Sequence, residues 1–281
     1  MSTRPARSFG DRPKVVSVTE VRGATALVTG ATGGLGRAIA GALRAQGCSV
    51  VLTGRRREPL ETTAAELGGR AVLADLGRPE DLTRLVQESG PLDIVVMNAA
   101  LPGSGELQEW DNEQIDRVLQ VNLAGPIALT RALLPEFLRR GAGHFVFIGS
   151  LSAKASPRGA PLYAATKFGL RGFAHGLRCD LQGTRIGCSL INPGFVSDAG
   201  MFHNTGLELP PGLGLVSAER VTRAVVRSIR SNRAEVDVAP LTLKAGTLIG
   251  SVAPRLSSFV QAHVGADFSR RMVAAQRAKR D

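Results

Sequence analysis

The chain has 281 residues and a formal net charge of +11, with 43% hydrophobic, 21% charged and 4% aromatic residues. Its length and apolar content are sufficient for one domain of ordinary size with a buried core. The positive charge suggests a nucleic-acid partner, but the basic residues are spread along the chain and few aromatic side chains are available to stack on bases. We therefore expect no nucleic-acid partner.

The cysteines, histidines and N-terminus argue against several other classes of protein. Cys48, Cys179 and Cys188 are far apart and form no CxxC pair, which argues against a disulfide framework or a zinc site and for a reducing compartment. The four histidines have no metal-ligand spacing, so no metal is expected. The N-terminus lacks the apolar core of a secretory signal, and no apolar run reaches the roughly 18 residues of a membrane span. We expect a cytoplasmic protein with a flexible arm over residues 1–22.

Short apolar runs of β-rich composition alternate with stretches of helical composition along the chain. Apolar runs that do not alternate with polar residues are typical of strands buried on both faces. The alternation predicts an α/β fold, a doubly wound parallel sheet of about seven strands with helices on both faces. Such sheets bind ligands beyond the carboxyl ends of their strands. The predicted strands are 24–29, 49–53, 71–74, 92–97, 144–148, 186–191 and 235–239, and the predicted helices are 34–46, 58–67, 79–89, 111–140, 158–183 and 217–232.

A glycine-rich loop follows the first predicted strand. The sequence TGATGGLG places Gly30, Gly34 and Gly36 between that strand and the first helix. Glycines allow the backbone to turn tightly and to approach a pyrophosphate, and the helix N-terminus offers its amides to the phosphate charge. The spacing GxxxGxG differs from the general GxGxxG fingerprint, so an ordinary glycine-rich turn is the alternative. The position between strand and helix favours a dinucleotide-binding loop.

Three arginines follow the second predicted strand. Proteins that bind the unphosphorylated dinucleotide usually have an acidic residue there, which holds the ribose 2′-hydroxyl. This chain has Arg55, Arg56 and Arg57 instead, and a guanidinium can hold a 2′-phosphate through paired hydrogen bonds. The alternative is that the arginines begin a solvated helix. We favour a 2′-phosphate site with Arg55 as its first contact, and therefore NADP(H) over NAD(H).

The only tyrosine, Tyr163, is followed four residues later by Lys167, in a chain whose usual cation is arginine. Positions i and i+4 share one face of a helix. A phenol has a pKa of about 10, and lowering that pKa to about 7 takes roughly 4 kcal/mol of preferential stabilisation of the phenolate. We expect the charge of Lys167, together with that of a bound oxidised nicotinamide, to lower the pKa of Tyr163, which would make the tyrosine a general acid or base.

The glycine loop, the arginines and the tyrosine–lysine pair, in this order, resemble the short-chain dehydrogenase/reductase family over about residues 23–240. Met97 stands where the family's NNAG element has its first asparagine. Asp75 matches the family's adenine contact, and Asn98-Ala99-Ala100 match the rest of the NNAG element. Asn122 matches the family's helix asparagine, and Ser150 matches its catalytic serine, which lies 13 residues before the tyrosine. Asn192-Pro193-Gly194 and Val196 match its PGxVxT element.

The resemblance implies a Rossmann-like fold and assigns roles to individual residues. Ser150 would hydrogen-bond the substrate oxygen, Tyr163 would exchange the proton, and Asn122 would hold a water behind Lys167. These four residues form the implied catalytic set. The implied cofactor contacts are Gly30, Thr32, Gly33, Gly34, Leu35, Gly36, Arg55, Arg56, Asp75, Leu76, Asn98, Ala99, Ala100, Tyr163, Lys167, Pro193, Gly194 and Val196.

The resemblance and the arginines together predict an NADP(H)-preferring oxidoreductase that interconverts a carbonyl and a secondary alcohol, with a hydrophobic small molecule as substrate. The alternatives are an NAD-linked alcohol dehydrogenase of the same family and a cofactor-binding regulatory protein without turnover. The four intact catalytic positions favour an enzyme. The family often pairs through its long helices, here 111–140 and 158–183, so a homodimer or homotetramer is expected.

Two segments lie beyond the repeating pattern. Residues 195–216 have little periodicity, and the resemblance makes them a substrate lid. Residues 241–281 follow the main domain at 23–240, and their sequence pattern predicts a helical extension. We favour an extension that packs on the domain or on a neighbouring subunit; the alternative is a basic amphipathic element on an anionic membrane surface. The lid contains several apolar side chains, which would contact either an apolar substrate or the core of the domain, and the sequence favours neither alternative. These residues are Met201, Phe202, Leu207, Leu209, Leu213 and Leu215.

Overall fold

The computed structural model describes residues 19–210, 212–253, 255 and 266–277. Within them, seven strands form one sheet in the order β3-β2-β1-β4-β5-β6-β7, and every neighbouring pair is parallel. The predicted fold class is confirmed. The strands are β1 (Thr25–Thr29), β2 (Ser49–Gly54), β3 (Arg70–Leu73), β4 (Ile94–Met97), β5 (Gly143–Ile148), β6 (Ile186–Pro193) and β7 (Glu235–Val238).

Helices connect the strands and cover both faces of the sheet. Ten α-helices lie in the part of the chain that the structure describes. They are α1 (Gly34–Ala45), α2 (Arg57–Leu67), α3 (Pro79–Ser89), α4 (Asn112–Leu119), α5 (Gly125–Arg140), α6 (Pro161–Asp180), α7 (Gly200–His203), α8 (Ala218–Ser231), α9 (Leu241–Val252) and α10 (Ala266–Arg277).

Each face of the sheet has its own apolar core. Along β1, Ala26 and Val28 belong to the core lined by α1 and α8, whereas Leu27 belongs to the core lined by α5 and α6. Strands β5 and β6 are buried at every position, which accounts for their continuous apolar sequences. The strand order reverses between β1 and β4, so the crevice expected for a ligand opens at the carboxyl ends of these two strands.

Two boundaries differ from the prediction. Residues 1–18 of the predicted arm lie outside the described residues, but Val21 is buried and its carbonyl accepts a hydrogen bond of 2.9 Å from the Cys48 thiol. Packed structure therefore begins before residue 23. Helix α6 begins at Pro161 rather than at 158, because Gly159 has a φ of +76° and proline is favoured at a first helical position.

The predicted helix 111–140 is divided into two. Helices α4 and α5 are joined without a loop by a π-helical turn over Gln120–Ala124. Such turns inside helices are frequent at functional sites. The turn contains Asn122, which is 1% exposed and faces the interior.

The predicted lid, residues 195–216, follows β6, and its last residue returns to its first residues. Backbone hydrogen bonds of 2.9 Å from Ser197 N to Val216 O and from Val216 N to Phe195 O close this segment at its base. The segment therefore has a fixed base and a projecting part that contains α7. Across the described ranges, no helix is long and apolar enough to cross a membrane.

A polar cluster lies where β7 meets α6 and the connection between β5 and α6. The Lys154 ammonium lies 2.6 Å from Asp237 Oδ2 and 3.0 Å from Glu235 Oε1. Arg171 and His175, one turn apart on α6, also bind Glu235. Although partial burial favours the neutral acid, hydrogen bonds from Arg171, Lys154 and His175 lower the pKa of Glu235 to about 2. Lys154, to which the sequence assigns no role, thus fastens the connection to the edge of the sheet.

The low pKa of Glu235 predicts a loss of stability in acid. In the unfolded chain the carboxyl group of Glu235 has its ordinary pKa of 4.5, whereas in the folded chain it binds a proton only near pH 2. The stabilisation is therefore complete above pH 4.5 and is lost as the pH falls towards 2. At about 1.4 kcal/mol per pKa unit, the stabilisation is of the order of 3 kcal/mol. We expect Glu235→Gln to be less stable at pH 7 and to lose less of its remaining stability between pH 5 and pH 3. Urea unfolding across this range measures both effects.

The matched control is Glu61→Gln, which removes an exposed carboxylate paired with Arg57 on α2. Its free energy of unfolding should follow that of the wild type at every pH. The same pH dependence in Glu235→Gln as in the wild type would show that this cluster does not stabilise the fold.

Candidate active site

Ser150 and Tyr163 meet at the carboxyl end of β5. Ser150 follows that strand by two residues, and its Oγ accepts a hydrogen bond of 3.1 Å from Ser152 N. Tyr163 lies in the first turn of α6, and its side chain shares a hydrogen bond with that of Ser150. Gly103 lies against the tyrosine backbone, where a Cβ would approach Tyr163 N to 2.8 Å. The structure therefore brings the two predicted residues into direct contact, with Ser152 supporting Ser150 through its backbone.

Lys167 lies one turn after Tyr163 and is 3% exposed. Its ammonium donates a hydrogen bond of 3.0 Å to the carbonyl of Ile148 and lies 5.6 Å from the centroid of the tyrosine ring. Burial lowers the pKa of Lys167 to about 8. The lysine is therefore within electrostatic range of the phenol while it is hydrogen-bonded to the end of β5.

The lowering of the tyrosine pKa expected from Lys167 and a bound oxidised nicotinamide stays a prediction, because the protein surroundings of the phenol act in the opposite direction. Burial raises the pKa of Tyr163 to about 12, and the hydrogen bond with Ser150 opposes that increase without overcoming it. The physical reason is that the ring lies in a poorly solvated position, which penalises the phenolate. In this structure the phenol is a neutral proton donor at pH 7.

Asn122 uses its side chain to hold the segment that follows β4. Its Oδ1 accepts a hydrogen bond of 2.7 Å from Leu101 N, and its Nδ2 donates one of 2.9 Å to Leu101 O. The same Nδ2 lies 3.4 Å from Thr166 Oγ1, next to Lys167 on α6. The asparagine therefore connects the π-helical turn, the segment after β4 and α6, whereas the water-holding role implied by the resemblance stays a prediction.

The glycine loop is built around close backbone contacts. Gly30 has a φ of +63°, and a Cβ there would lie 2.8 Å from Ala99 Cα. At Gly36, a Cβ would approach Gly30 O to 2.2 Å. Asn98 Nδ2 donates hydrogen bonds of 2.9 Å to Thr29 O and 3.3 Å to Gly30 O. The side-chain amide of Asn98 thus fastens the glycine loop to the end of β4, and the expected contact of Asn98 with the cofactor stays a prediction.

The surroundings of this loop fit a phosphorylated dinucleotide. Helix α1 has Gly33 as its N-cap, with no side-chain hydrogen bond to its first amides and no acidic residue in its first turn, so those amides can receive a phosphate. Gly54 adjoins the loop, where a Cβ would lie 3.3 Å from Thr32 Cγ2. Arg55 and Arg56 follow directly and are exposed. The glycine loop and the two arginine side chains are therefore neighbours at the ends of β1 and β2.

Asp75 has a partner that the sequence did not indicate. Arg117 on α4 forms an ion pair with Asp75 Oδ2, while Gly77 N donates a hydrogen bond of 2.9 Å to Oδ1. Partial burial opposes ionisation, but the hydrogen bonds from Arg117 and Gly77 outweigh it and lower the pKa of Asp75 below its ordinary value. The expected adenine contact is thus a carboxylate already bound to the protein. Arg117 is 42 residues away in sequence, so no local pattern could have identified it.

The segment after β6 reaches the glycine loop from the other side. Pro193 ends that strand, and Gly194 N donates a hydrogen bond of 2.9 Å to Val238 O. Val196 is buried at the base of the predicted lid. A Cβ on Gly34 would lie 3.2 Å from Gly200 N, so the lid approaches the start of α1. The other predicted cofactor positions, all near these strand ends, are Leu35, Leu76 and Ala100.

Comparisons with known proteins agree with this geometry. The family model described as short chain dehydrogenase matches residues 24–209. Ketoacyl reductase HetN of Nostoc sp. is 33% identical over 251 residues, which cover 84% of this chain and 88% of that protein. Nodulation protein G of Rhizobium sp. is 38% identical over 186 residues, which cover 64% of this chain and 76% of that protein.

Solved structures give the same result. The closed form of serine dehydrogenase complexed with NADP+ is 30% identical, with a TM-score of 0.70 over 78% of this chain and 95% of that chain. A variant of actinorhodin polyketide ketoreductase with NADPH is 28% identical, with a TM-score of 0.69 over 77% of this chain and 96% of that chain. The chain belongs to the short-chain dehydrogenase/reductase family of oxidoreductases.

Proposed function

We propose that this protein is an NADP(H)-dependent oxidoreductase that reduces a carbonyl to a secondary alcohol, with Tyr163 as the proton donor. The observation that carries the proposal is the contact between Tyr163 and Ser150 beside the buried Lys167. All three lie at the carboxyl end of β5, next to the crevice between β1 and β4. A regulatory protein that only binds the cofactor has no need for this arrangement.

The proposed chemistry assigns one task to each residue. Ser150 donates a hydrogen bond to the carbonyl oxygen of the substrate and orients it towards the phenol. Tyr163 donates its proton to that oxygen as negative charge develops on it. The ammonium of Lys167 stabilises the phenolate that remains. When NADPH is bound, its nicotinamide supplies the hydride to the carbonyl carbon.

The protonated form of Tyr163 is the form that carbonyl reduction requires. With a pKa of about 12, the phenol carries its proton throughout the neutral range and can act as a general acid without prior protonation. The same residue would have to lose that proton before it could act as a base on an alcohol.

The family relatives support a substrate with an apolar substituent. HetN is named a ketoacyl reductase, and the actinorhodin enzyme is named a polyketide ketoreductase. We propose by analogy that the carbonyl of the substrate of this chain is carried on an apolar chain or ring system. The expected pairing through α5 and α6 and the cytoplasmic location stay predictions; Leu138 on α5 and Phe168 on α6 are exposed and available for such pairing.

Tyr163→Phe tests the role of the proton donor. Loss of general acid catalysis should lower kcat for carbonyl reduction by about 10²–10⁴-fold. The dissociation constant of NADPH, measured by calorimetry, should stay within about threefold, because the ring is retained. Ser150→Ala should also lower kcat, whereas Ser152→Ala should not, because Ser152 acts through its backbone amide. Full turnover by Tyr163→Phe on a substrate that the parent reduces would contradict the mechanism.

The exposed arginines after β2 predict the cofactor preference. Replacing Arg55 and Arg56 together with alanine should weaken NADPH binding by about 10–100-fold, the value of one or two charge-assisted hydrogen bonds. NADH binding should change by less than about twofold, since NADH has no 2′-phosphate. Arg57→Ala is the control, because Arg57 is paired with Glu61. An equal loss of affinity for both cofactors would remove the assignment of a 2′-phosphate site.

A further inference from the structure

The C-terminal helix α10 contacts three separate segments that border the candidate active site. These segments are the predicted lid, the connection between β5 and α6, and the segment between β4 and α4. Each contact involves a different residue, with Phe268 near the start of the helix, Val273 in its middle and Arg277 at its end. The helix therefore spans the site rather than packing on one neighbouring element.

The first contact is aromatic and lies on the lid. The Phe268 ring lies edge-on to Phe195, with ring centroids 5.9 Å apart, and 6.5 Å from the ring of Phe202. Phe195 and Phe202 themselves lie 4.9 Å apart. Phe195 follows Gly194 directly, so this aromatic cluster adjoins the segment expected to contact the cofactor. Phe268 thus joins the helix to the part of the lid nearest the reaction centre.

The second contact lies next to the start of α6. A Cβ on Gly159 would come within 2.8 Å of Val273 Cγ2, so the side chain of Val273 lies directly on this glycine. Gly159 is four residues before Tyr163, and its carbonyl accepts a hydrogen bond of 2.7 Å from Gly105 N. The middle of α10 therefore rests on the turn from which α6 begins.

The third contact is an ion pair between Arg277 of α10 and Glu109. Glu109 belongs to the same segment as Gly103, which lies against the backbone of Tyr163. The last turn of the helix is thus fixed to the segment that contacts the backbone of Tyr163. Together the three contacts join α10 to the three segments that border the candidate active site.

The amphipathic pattern of α10 agrees with this placement. Its partly buried residues include Phe268, Met272 and Val273, whereas Arg270 and Arg271 are exposed. Because the apolar side of the helix already contacts the domain, it is not free to enter a bilayer. The contacts favour an extension that packs on the domain over one that binds a membrane surface.

We propose that α10 is the outer wall of the substrate pocket, with Phe268 as a specificity-determining residue that contacts the apolar substituent of the substrate. This inference rests on the proposed carbonyl reductase function and names the residue that selects the substrate. The lid provides Phe195 and Phe202, the helix provides Phe268, and the ion pair between Glu109 and Arg277 holds the wall in place. The pocket therefore selects carbonyl compounds with an extended apolar chain or ring over small polar ones.

The experiment compares two ethyl 3-oxo esters, with acyl chains of four and ten carbons, as substrates with NADPH. In Phe268→Ala, we expect KM for the long ester to rise by roughly tenfold, because apolar contacts of one side chain are worth about that much in substrate discrimination. KM for the short ester and kcat for both should stay within about threefold, because Tyr163 and its partners are unchanged. Phe268→Leu, which keeps an apolar side chain, should recover most of the affinity for the long ester.

A charge exchange tests the ion pair independently. Glu109→Arg and Arg277→Glu should each raise KM for the long ester severalfold, and the double variant, in which the charges are exchanged, should restore it to within about twofold. The control is Arg223→Glu, which disrupts an exposed ion pair with Glu219 on α8 and should alter neither ester. Recovery in the double variant requires the contact between α10 and the segment after β4, and a general loss of fold would not reverse in this way.

Two negative results have different meanings. If the parent chain reduces neither ester nor any other carbonyl compound, the proposed function fails and this inference fails with it. If the parent is active and Phe268→Ala changes KM for both esters by the same factor, the proposed function stands, and α10 is a packing element without a role in specificity. If Phe268→Ala lowers kcat for both esters and also lowers the thermal midpoint of the protein, the conclusion is the same.

Discussion

The hydrogen bond from the buried ammonium of Lys167 to the carbonyl of Ile148 is the contact on which the geometry of the site depends. It joins the first turns of α6 to the last residue of β5, and Ser150 follows only two residues later. A buried donor that loses its partner costs about 1–3 kcal/mol, and more if the donor is charged. The distance between strand and helix is therefore held by an interaction that the fold cannot easily give up. Tyr163, one turn earlier, is placed against Ser150 as a consequence.

The other contacts around the site hold the segments that flank this joint. The side chain of Asn122 accepts a hydrogen bond from Leu101 N and donates one to Leu101 O. Leu101 belongs to the segment after β4, which also contains Gly103, and Gly103 contacts the backbone of Tyr163. Lys154 fastens the connection between Ser150 and Tyr163 to the acidic residues of β7. Each of these side chains is bound to backbone or to other side chains of the scaffold. The hydroxyls of Ser150 and Tyr163 are thus held by a rigid frame, which is what proton transfer to a bound carbonyl requires.

Burial has opposite effects on the two ionisable groups at the centre of the site. It raises the pKa of Tyr163 to about 12 and lowers that of Lys167 to about 8. With a pKa of about 8, Lys167 is still mostly protonated at pH 7, so its ammonium can stabilise the phenolate that forms in the proposed mechanism when Tyr163 gives up its proton.

Sequence patterns were sufficient where a property depends on neighbouring residues. Continuous apolar runs predicted the seven strands, since both faces of the sheet are covered, and the spacing of Tyr163 and Lys167 predicted their common helix face. Properties that depend on distant residues could not be predicted in this way. The pairing of Asp75 with Arg117 spans 42 residues and that of Lys154 with Asp237 spans 83. The desolvation that raises the pKa of Tyr163 arises from packing that no spacing records, and the expected effect of a bound nicotinamide on that pKa stays a prediction.

Transfer of deuterium from the cofactor to the product tests the central claim most directly. NADPH that carries deuterium at both positions of nicotinamide C4 would be incubated with the protein and a 3-oxo ester, and the alcohol would be analysed by mass spectrometry and NMR. A carbonyl reductase built on Ser150, Tyr163 and Lys167 should place one deuterium on the carbinol carbon for each NADPH consumed. Tight binding of NADPH without any labelled alcohol, across a panel of ketones, would contradict the account and indicate a protein that binds the cofactor without turnover.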